Sequence, residues 1–323
     1  MQASPEIITE QAAKGYSIVR LSRENIGDLT ALHVEVYGPV PARHYINKYD
    51  TAYTGVSFTG FIAYNDRRQP VAYYGVIPCF IQQGEKKILA AQSADTMTHP
   101  KHRFKGMFVE LSLMTFDLCR QLGINLLFGF PNENSYHGAV TKLGWQPVTR
   151  MACFTLPVTT LPLTSLVRRF PFLSKLYDRY RSSVLRGITV TGDSLLNTVI
   201  DEGFAGTCRS AEYQGYKNGF SQSQVVMLGG ARIRISTRQA LLVGDMNGVD
   251  DENSDEVIAR LKGLARRLGL RQIQFHCSEG IRLHRLFESK LPSVPSYHVL
   301  VQDFGSAIPP ESLRFVFADL DIF

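Results

Sequence analysis

No two of the five cysteines in this sequence, Cys79, Cys119, Cys153, Cys208 and Cys277, stand in a CxxC spacing. They are odd in number, widely separated and mostly set among apolar neighbours, which argues against a disulfide framework and for a reducing compartment. No apolar run approaches the roughly 20 residues that span a bilayer. The first residues, MQASPEIITEQAAKG, lack the charged start and apolar stretch of a secretory leader. The expected location is therefore cytoplasmic. Two nucleotide-binding signatures are also missing: there is no Walker A loop, and the glycines of a dinucleotide fingerprint are absent.

What remains is an ordinary folded composition. Apolar residues make up 44% and charged residues 20%, so long disorder is not expected. At 323 residues the chain exceeds what one core usually serves, and two domains are predicted. The net charge is +6. That excess suits a polyanionic ligand such as a nucleotide cofactor, and equally nucleic acid or an anionic membrane face.

The patterning predicts a mixed α+β protein. Tyr16–Leu21 reads as a strand and Arg23–Val36 as an amphipathic helix with Ser22 at its N-cap. Strand-like stretches follow at Ser57–Tyr64, Val71–Ile81 and Lys87–Thr98, separated by polar turns. Gly106–Leu122 has helical spacing and Gly123 ends it. Ile124–Phe130 reads as a buried strand, Pro131–Tyr136 as a polar loop, His137–Leu143 as a short helix and Trp145–Leu156 as a strand.

Thr159–Gly187 changes character. Arg168, Arg169, Lys175, Arg179, Arg181 and Arg186 stand against one acid, Asp178, interleaved with Phe170, Phe172, Leu176, Tyr177 and Tyr180. It reads as a helical linker, packed across a domain junction or lying on a membrane or acidic partner through residues 164–186. Beyond it the first half is partly repeated. Cys119-Arg-Gln-Leu-Gly-Ile matches Ala265-Arg-Arg-Leu-Gly-Leu, each followed by a strand and a short apolar helix, and Ala240–Met246 is the strand before the second copy. A pseudo-symmetric pair of related domains is predicted, divided as 1–157, a basic linker 158–187, and 188–323.

The chemistry-bearing stretch is Thr96-Met-Thr-His-Pro-Lys-His-Arg-Phe-Lys-Gly-Met-Phe108. A strand ends at Thr98, a basic loop follows, and a helix starts near Gly106. Successive amides at a helix start form an anion cradle. Gly106 admits close approach of a bulky anion, and Lys101, Arg103 and Lys105 surround it with positive charge. In physical terms this is a diphosphate site.

At these residues the chain resembles the GNAT superfamily of acyl-CoA N-acyltransferases, whose pyrophosphate loop reads Gln/Arg-x-x-Gly-x-Gly/Ala after a strand. Here Pro100, Arg103 and Gly106 fit, and Phe108 replaces the small last residue. Downstream, Leu126–Phe130, Asn132, Asn134 and Lys142-Leu-Gly-Trp145 continue the likeness, which spans about Tyr16–Leu156. The resemblance implies a GNAT fold, acetyl-CoA or another acyl-CoA as co-substrate, and a small-molecule primary amine as acceptor, with no nucleic acid partner. It places the cofactor against Met97, Thr98, Arg103, Phe104, Lys105, Gly106, Met107 and Phe108. Pantetheine would lie between Leu89–Thr98 and Leu126–Phe130, with Asn134 on its far side. The run from Phe128 to Tyr136 also looks like GNAT proteins tied to surface polysaccharide formation.

The implied reaction is attack of an amine on a thioester, which needs a base for the ammonium and an acid for the departing thiolate. The usual GNAT acid is a Tyr, but the position counted back from Gly144 is Val140. Tyr136, one turn earlier, is the candidate acid. Asp95 is the candidate base, with His137 considered beside it; Gln92 occupies a position where some members carry Glu, and an amide cannot act as a base. His99 and His102 do not complete a zinc ligand set, so no metal is expected.

Two further expectations concern the second half. Five acids between Asp250 and Glu256 stand where the anion cradle should be, so this half is predicted to be a degenerate copy without its own cofactor. The tail Phe315–Phe323 reads as an edge strand with Asp319 and Asp321 solvated on one face. By the resemblance it could instead line the acceptor pocket. Two rival functions remain open: a peptidoglycan-type aminoacyl transferase built on twin GNAT-like domains, and a CoA-binding module without catalysis.

Overall fold

The computed structural model describes residues 15–190 and 197–323, apart from the side chain of Asn134. The chain forms two compact units that are not continuous in sequence. The first holds the chain up to Val148 together with Glu212–Phe220 and His298–Pro310. The second holds Thr149–Ala211, Ser221–Tyr297 and Glu311–Phe323.

In chain order the elements begin with β1 (Ser17–Arg20), α1 (Ile26–Tyr37), α2 (His44–Tyr49), β2 (Thr59–Tyr64), β3 (Pro70–Gln83) and β4 (Lys86–Thr98). Then come α3 (Met107–Gln121), β5 (Leu126–Gly129), α4 (Glu133–Leu143) and β6 (Gln146–Pro157). Next are α5 (Leu163–Arg169), α6 (Ser174–Arg186), α7 (Thr198–Asp201), the two-residue β7 (Gly206–Thr207) and α8 (Ala211–Asn218). The chain ends with β8 (Ser223–Leu228), β9 (Ala231–Thr237), β10 (Leu241–Asn247), α9 (Ser254–Arg267), β11 (Gln272–Ser278), α10 (Arg282–Glu288) and β12 (Ser293–Asp303).

The first unit is a mixed sheet in the order β1-β2-β3-β4-β5-β12. β1 to β4 form an antiparallel meander, β4 and β5 are parallel, and β5 meets residues 300–303 of β12 antiparallel. A parallel pair cannot be joined by a hairpin, and α3 is the crossover. Helices cover both faces, so all six residues of β2 are buried. On one face α3 and α4 contribute Met107, Leu111, Phe116, Ala139 and Leu143 to a cluster with Ala91, Leu127 and Trp145. On the other, α1 and α2 contribute Leu29, Leu32, Tyr45 and Tyr49 against Ile62, Tyr73, Ala94 and Met97.

The second unit also joins an antiparallel meander, here of three strands, to a parallel pair. Its sheet order is β6-β11-β10-β9-β8, antiparallel except for the parallel β10–β11 pair, which α9 joins. The repeated sequence is a repeated cap. Gly123 (φ 74°) and Gly269 (φ 66°) both end a helix in the left-handed region. Ile124 N donates to Cys119 O and Leu270 N to Ala265 O, both at 2.9 Å. That is the six-to-one bond of a Schellman motif.

Several expected boundaries move. α1 starts at Ile26, because Asn25 rather than Ser22 shapes its entry: Asn25 Oδ1 accepts from Ser22 N and its Nδ2 donates to Arg20 O. α4 starts at Glu133, so Asn134 and Tyr136 lie in a helix rather than a loop. The linker is broken at Pro171 into α5, a short 3-10 turn and α6. The largest correction is the tail. Phe315–Phe323 is not an edge strand: among the described residues it makes one bridge, Cys277 to Val316, and a 3-10 turn at Phe317–Asp319. Asp319 is buried and ion-paired, not solvated.

Candidate active site

The β4–β5 ladder is short. It pairs Ala90 with Leu126, Ala91 with Leu127 and Gln92 with Phe128, and stops. β4 continues to Thr98, still bonded to β3 on its other edge, where Ala72 faces Thr98. Gly129 closes β5, and a Cβ there would lie 3.3 Å from the Ser93 Cβ. The pairing ends at Gln92, and among the described residues no strand is paired beyond it with the edge of β4 that faced β5. The backbone polar groups of an unpaired edge seek an extended partner with amides of its own.

β4 also carries a bulge. Gly75 faces Ala94 and Tyr73 faces Met97, so two residues of β4, Asp95 and Thr96, oppose one of β3. Asp95 has φ 54°, a left-handed backbone that a non-glycine residue adopts at a cost. Strict alternation would send Asp95 to the face opposite Ala94. The bulge instead turns its carboxylate to the α1–α2 face.

There the sequence had hidden its partners. Asp95 Oδ2 lies 2.6 Å from Lys48 Nζ and accepts from Tyr49 Oη at 2.9 Å. Lys48 and Tyr49 are both buried on α2. Oδ1 of Asp95 has no protein partner among the described residues. Burial first, and the Asp95 charge second, push the Tyr49 phenol well above its ordinary range, so it stays a donor. His33, bonded to Tyr45 Oη through Nδ1 at 2.5 Å, is held below the usual imidazole range, mainly by burial. α2 is braced by the segment contributed from the second half of the sequence: Tyr216 Oη donates to Lys48 O at 2.6 Å and Asn47 Nδ2 to Gly219 O at 2.8 Å. Lys48 on the apolar side of a Tyr45–Tyr49 helix was the available signal.

At the end of β4, Pro100–His102 form a 3-10 turn in which His99 Nδ1 accepts from Lys101 N. Phe104 (φ 64°) and Gly106 (φ 80°) then reverse the chain twice within three residues and start α3. A Cβ at Gly106 would meet nothing within 4 Å, so the space before the helix is open. The amides of Met107, Phe108 and Val109 precede the first intrahelical bond, Glu110 N to Gly106 O at 3.1 Å, and point out of the helix start. Lys101, Arg103 and Phe104 are exposed beside them. Lys105 is partly committed: its Nζ donates to Tyr16 Oη at 2.7 Å, and Tyr16 Oη lies 3.0 Å from His102 Nδ1. Burial and then the Lys105 charge lower the His102 pKa.

Met97 is buried in the α1–α2 core, so only its backbone is available to a ligand. Phe108, the departure from the small-residue pattern, is accommodated by α4. A Cβ on Gly138 would lie 3.2 Å from its ring, which also packs against Tyr74 at 6.2 Å. Tyr136 is half-buried on α4, tilted against the ring of His298 with centroids 4.2 Å apart, and packed on the α3–α4 cluster, where Val140 also sits. Asp95 and Tyr136 share no hydrogen bond and belong to opposite faces of the sheet. His137 is exposed. Asn134 falls in the first turn of α4, and its side chain lies outside the described residues. His99 pairs with Glu35 at 3.3 Å, and among the described residues no three His, Cys, Asp or Glu side chains are grouped to hold a metal.

This is an antiparallel meander, a bulged fourth strand, an amide-rich turn into a crossover helix, and a fifth strand whose pairing with the fourth ends at Gln92. Solved structures superpose on this chain. A GCN5-related N-acetyltransferase from Kribbella flavida superposes with a TM-score of 0.55 at 12% identity, over 90% of this chain and 72% of that one. A conserved protein of unknown function from Enterococcus faecalis V583, an N-acyltransferase candidate, gives 0.57 at 10% identity over 90% and 73%. An acetyltransferase candidate from Pyrococcus horikoshii gives 0.53 at 12% identity over 98% and 97%. The chain has the GNAT fold. No family model matches the sequence, and no curated protein matches it.

The short parallel ladder beside a bulged strand has a counterpart in the second unit, with one difference. The β10–β11 ladder also lasts three pairs, Leu241–Ile273 to Val243–Phe275, and β10 also bulges, at Gly244. Here the parting strands are filled by the chain's own tail. The outer edge of β11 is taken by β6, so the Cys277–Val316 bridge and the bond from Ser278 N to Phe315 O (2.8 Å) lie on the side facing β10. A Cβ on Gly244 would come within 2.5 Å of the Phe323 ring and 2.9 Å of Ala318. Asp245, on the bulge as Asp95 is, meets Arg209 at 2.6 Å, and Arg209 also binds Asp319 at 2.8 Å. All three are buried. Burial pushes the Asp319 carboxyl up, against the opposing pull of Arg209.

Proposed function

We propose that the protein is an acyl-CoA-dependent N-acyltransferase, with acetyl-CoA as the donor and a primary amine as the acceptor. The observation that carries this reading is the end of the β4–β5 ladder at Gln92–Phe128, followed directly by the amide-rich turn at Phe104–Gly106. A pantetheine arm with two amides suits the parted strands, and a diphosphate suits the start of α3 with Lys101 and Arg103 beside it. The narrower acceptor class, an amino sugar or polysaccharide precursor, rests on the likeness of Phe128–Tyr136 alone.

In the reaction the amine nitrogen attacks the thioester carbonyl, forming the N–C bond. The oxyanion is met by a β4 backbone amide beyond Gln92. The C–S bond then breaks, the thiolate takes a proton from Tyr136, and the second proton shed by the nitrogen as the amide forms restores the Tyr136 hydroxyl through solvent. Asp95, held through Oδ2 by Lys48 and Tyr49, offers Oδ1 to the ammonium and accepts its proton. The second unit is a degenerate GNAT copy whose equivalent crevice is filled by Phe315–Phe323, so each chain takes one cofactor.

The test is a melting temperature with acetyl-CoA, free CoA and bulk tRNA, followed by thiol release with an amine panel. A ligand that binds only the folded state raises the melting temperature. A shift with CoA that is lost in Arg103→Glu, together with amine-dependent thiol release, is expected. A shift with tRNA alone makes the protein an aminoacyl transferase, and a CoA shift without turnover makes it a binding module.

A further inference from the structure

We propose that residues 161–186 form a docking surface for an anionic lipid bilayer. Charge points there first. Residues 159–187 carry six Lys and Arg against one Asp, a net of +5. The other 29 Lys and Arg meet 28 acids, so this one segment holds nearly all of the chain's +6. Apolar exposure points to the same place. Of the thirteen large apolar side chains exposed among the described residues, six fall within residues 161–180: Leu161, Leu166, Phe170, Phe172, Leu176 and Tyr180. Phe172 is 80% exposed and Leu176 66%.

The second unit fixes which side of the segment faces out. Tyr177 Oη donates to Leu268 O at 2.8 Å and Tyr180 Oη to Arg267 O at 2.7 Å, tying α6 to the end of α9, while Val184 and Leu185 are buried. The opposite stripe of α6 carries Leu176, Arg179 and Ser183 at helical spacing, and Phe172 stands exposed in the turn just before it. Arg181 is paired with Asp178 at 3.1 Å, whereas Arg168, Arg169, Lys175, Arg179 and Arg186 stand exposed. A soluble polyanion would need only the cations. Phenylalanine and leucine side chains standing among arginines suit a partner that is anionic at its surface and apolar just beneath it. Among the described residues no helix is long and apolar enough to cross a membrane, so the association is peripheral.

The test is co-sedimentation of the full-length protein with phosphatidylcholine vesicles with and without phosphatidylglycerol. Binding is expected only with the anionic lipid, and it weakens as salt rises. A Phe172→Asp Leu176→Asp variant should bind roughly tenfold or more weakly, as should Arg168→Glu Arg169→Glu. Both variants should keep the melting temperature and the CoA-induced shift, because these side chains are exposed. Absence of binding to anionic vesicles at low salt overturns the proposal. So does binding that ignores the apolar substitutions and is matched by a soluble polyanion such as heparin, which would assign the surface to an acidic macromolecule.

Discussion

The Asp95 carboxylate is fixed by Lys48, whose ammonium lies 2.6 Å away and is buried. The pairing depends on the bulge that turns Asp95 out of strand alternation, so a backbone irregularity and an ion pair together set one carboxylate oxygen in place and leave the other open.

If Asp95 receives the acceptor's proton, Asp95→Asn should lower kcat by about 100-fold or more while leaving the CoA-induced melting shift intact. Lys48→Met should also lower kcat and should destabilise the fold by about 2–3 kcal/mol, less than for a fully enclosed pair because Asp95 is partly exposed. The double variant Lys48→Met Asp95→Asn should recover part of that stability. Chemical denaturation alongside steady-state kinetics separates the two effects.

Tyr136→Phe should reduce kcat by about 100-fold with little change in CoA affinity, since the ring and its contact with His298 survive. A kcat unchanged by the substitution would remove Tyr136 from the chemistry.

Much of the first unit could be read from local residue types. The turn into α3 was legible because a strand pattern ending at Thr98 and a helical pattern from Gly106 bracket one short polar stretch. The caps at Gly123 and Gly269 were legible because the same six-residue pattern occurs twice. Lys48 and Tyr49 were not, because a bulge cannot be seen in an alternating strand and their partner lies far along the chain. The tail misled for a related reason. Phe315–Phe323 alternates like an edge strand, but Asp319 is paired with Arg209, which only the tertiary fold brings to it. The segment Glu212–Phe220 belongs to the first unit although it lies in the second half of the sequence.

The second unit should lose stability in mild acid. Burial lowers the His276 pKa to about 4. The unfolded chain takes up this proton near its ordinary value of about 6.5, while the folded protein resists until about pH 4. The contribution is therefore fully present above pH 6.5 and is lost as pH falls, by roughly 3 kcal/mol in all. Denaturation as a function of pH should show this loss in the native protein and a flatter profile in His276→Asn.

Arg209 joins two buried carboxylates, Asp245 and Asp319, and so locks the tail into the second crevice. Arg209→Met should destabilise the protein by about 3–5 kcal/mol by stranding both. Calorimetric titration of the unaltered protein should give one CoA per chain; two would mean that the tail yields its place.

The most direct measurement is a crystal structure of the protein with excess acetyl-CoA. The diphosphate is predicted on the amides of Met107, Phe108 and Val109, with Arg103 beside it and pantetheine running between β4 and β5 beyond Gln92. A cofactor bound elsewhere, or no cofactor between those strands, would contradict the account.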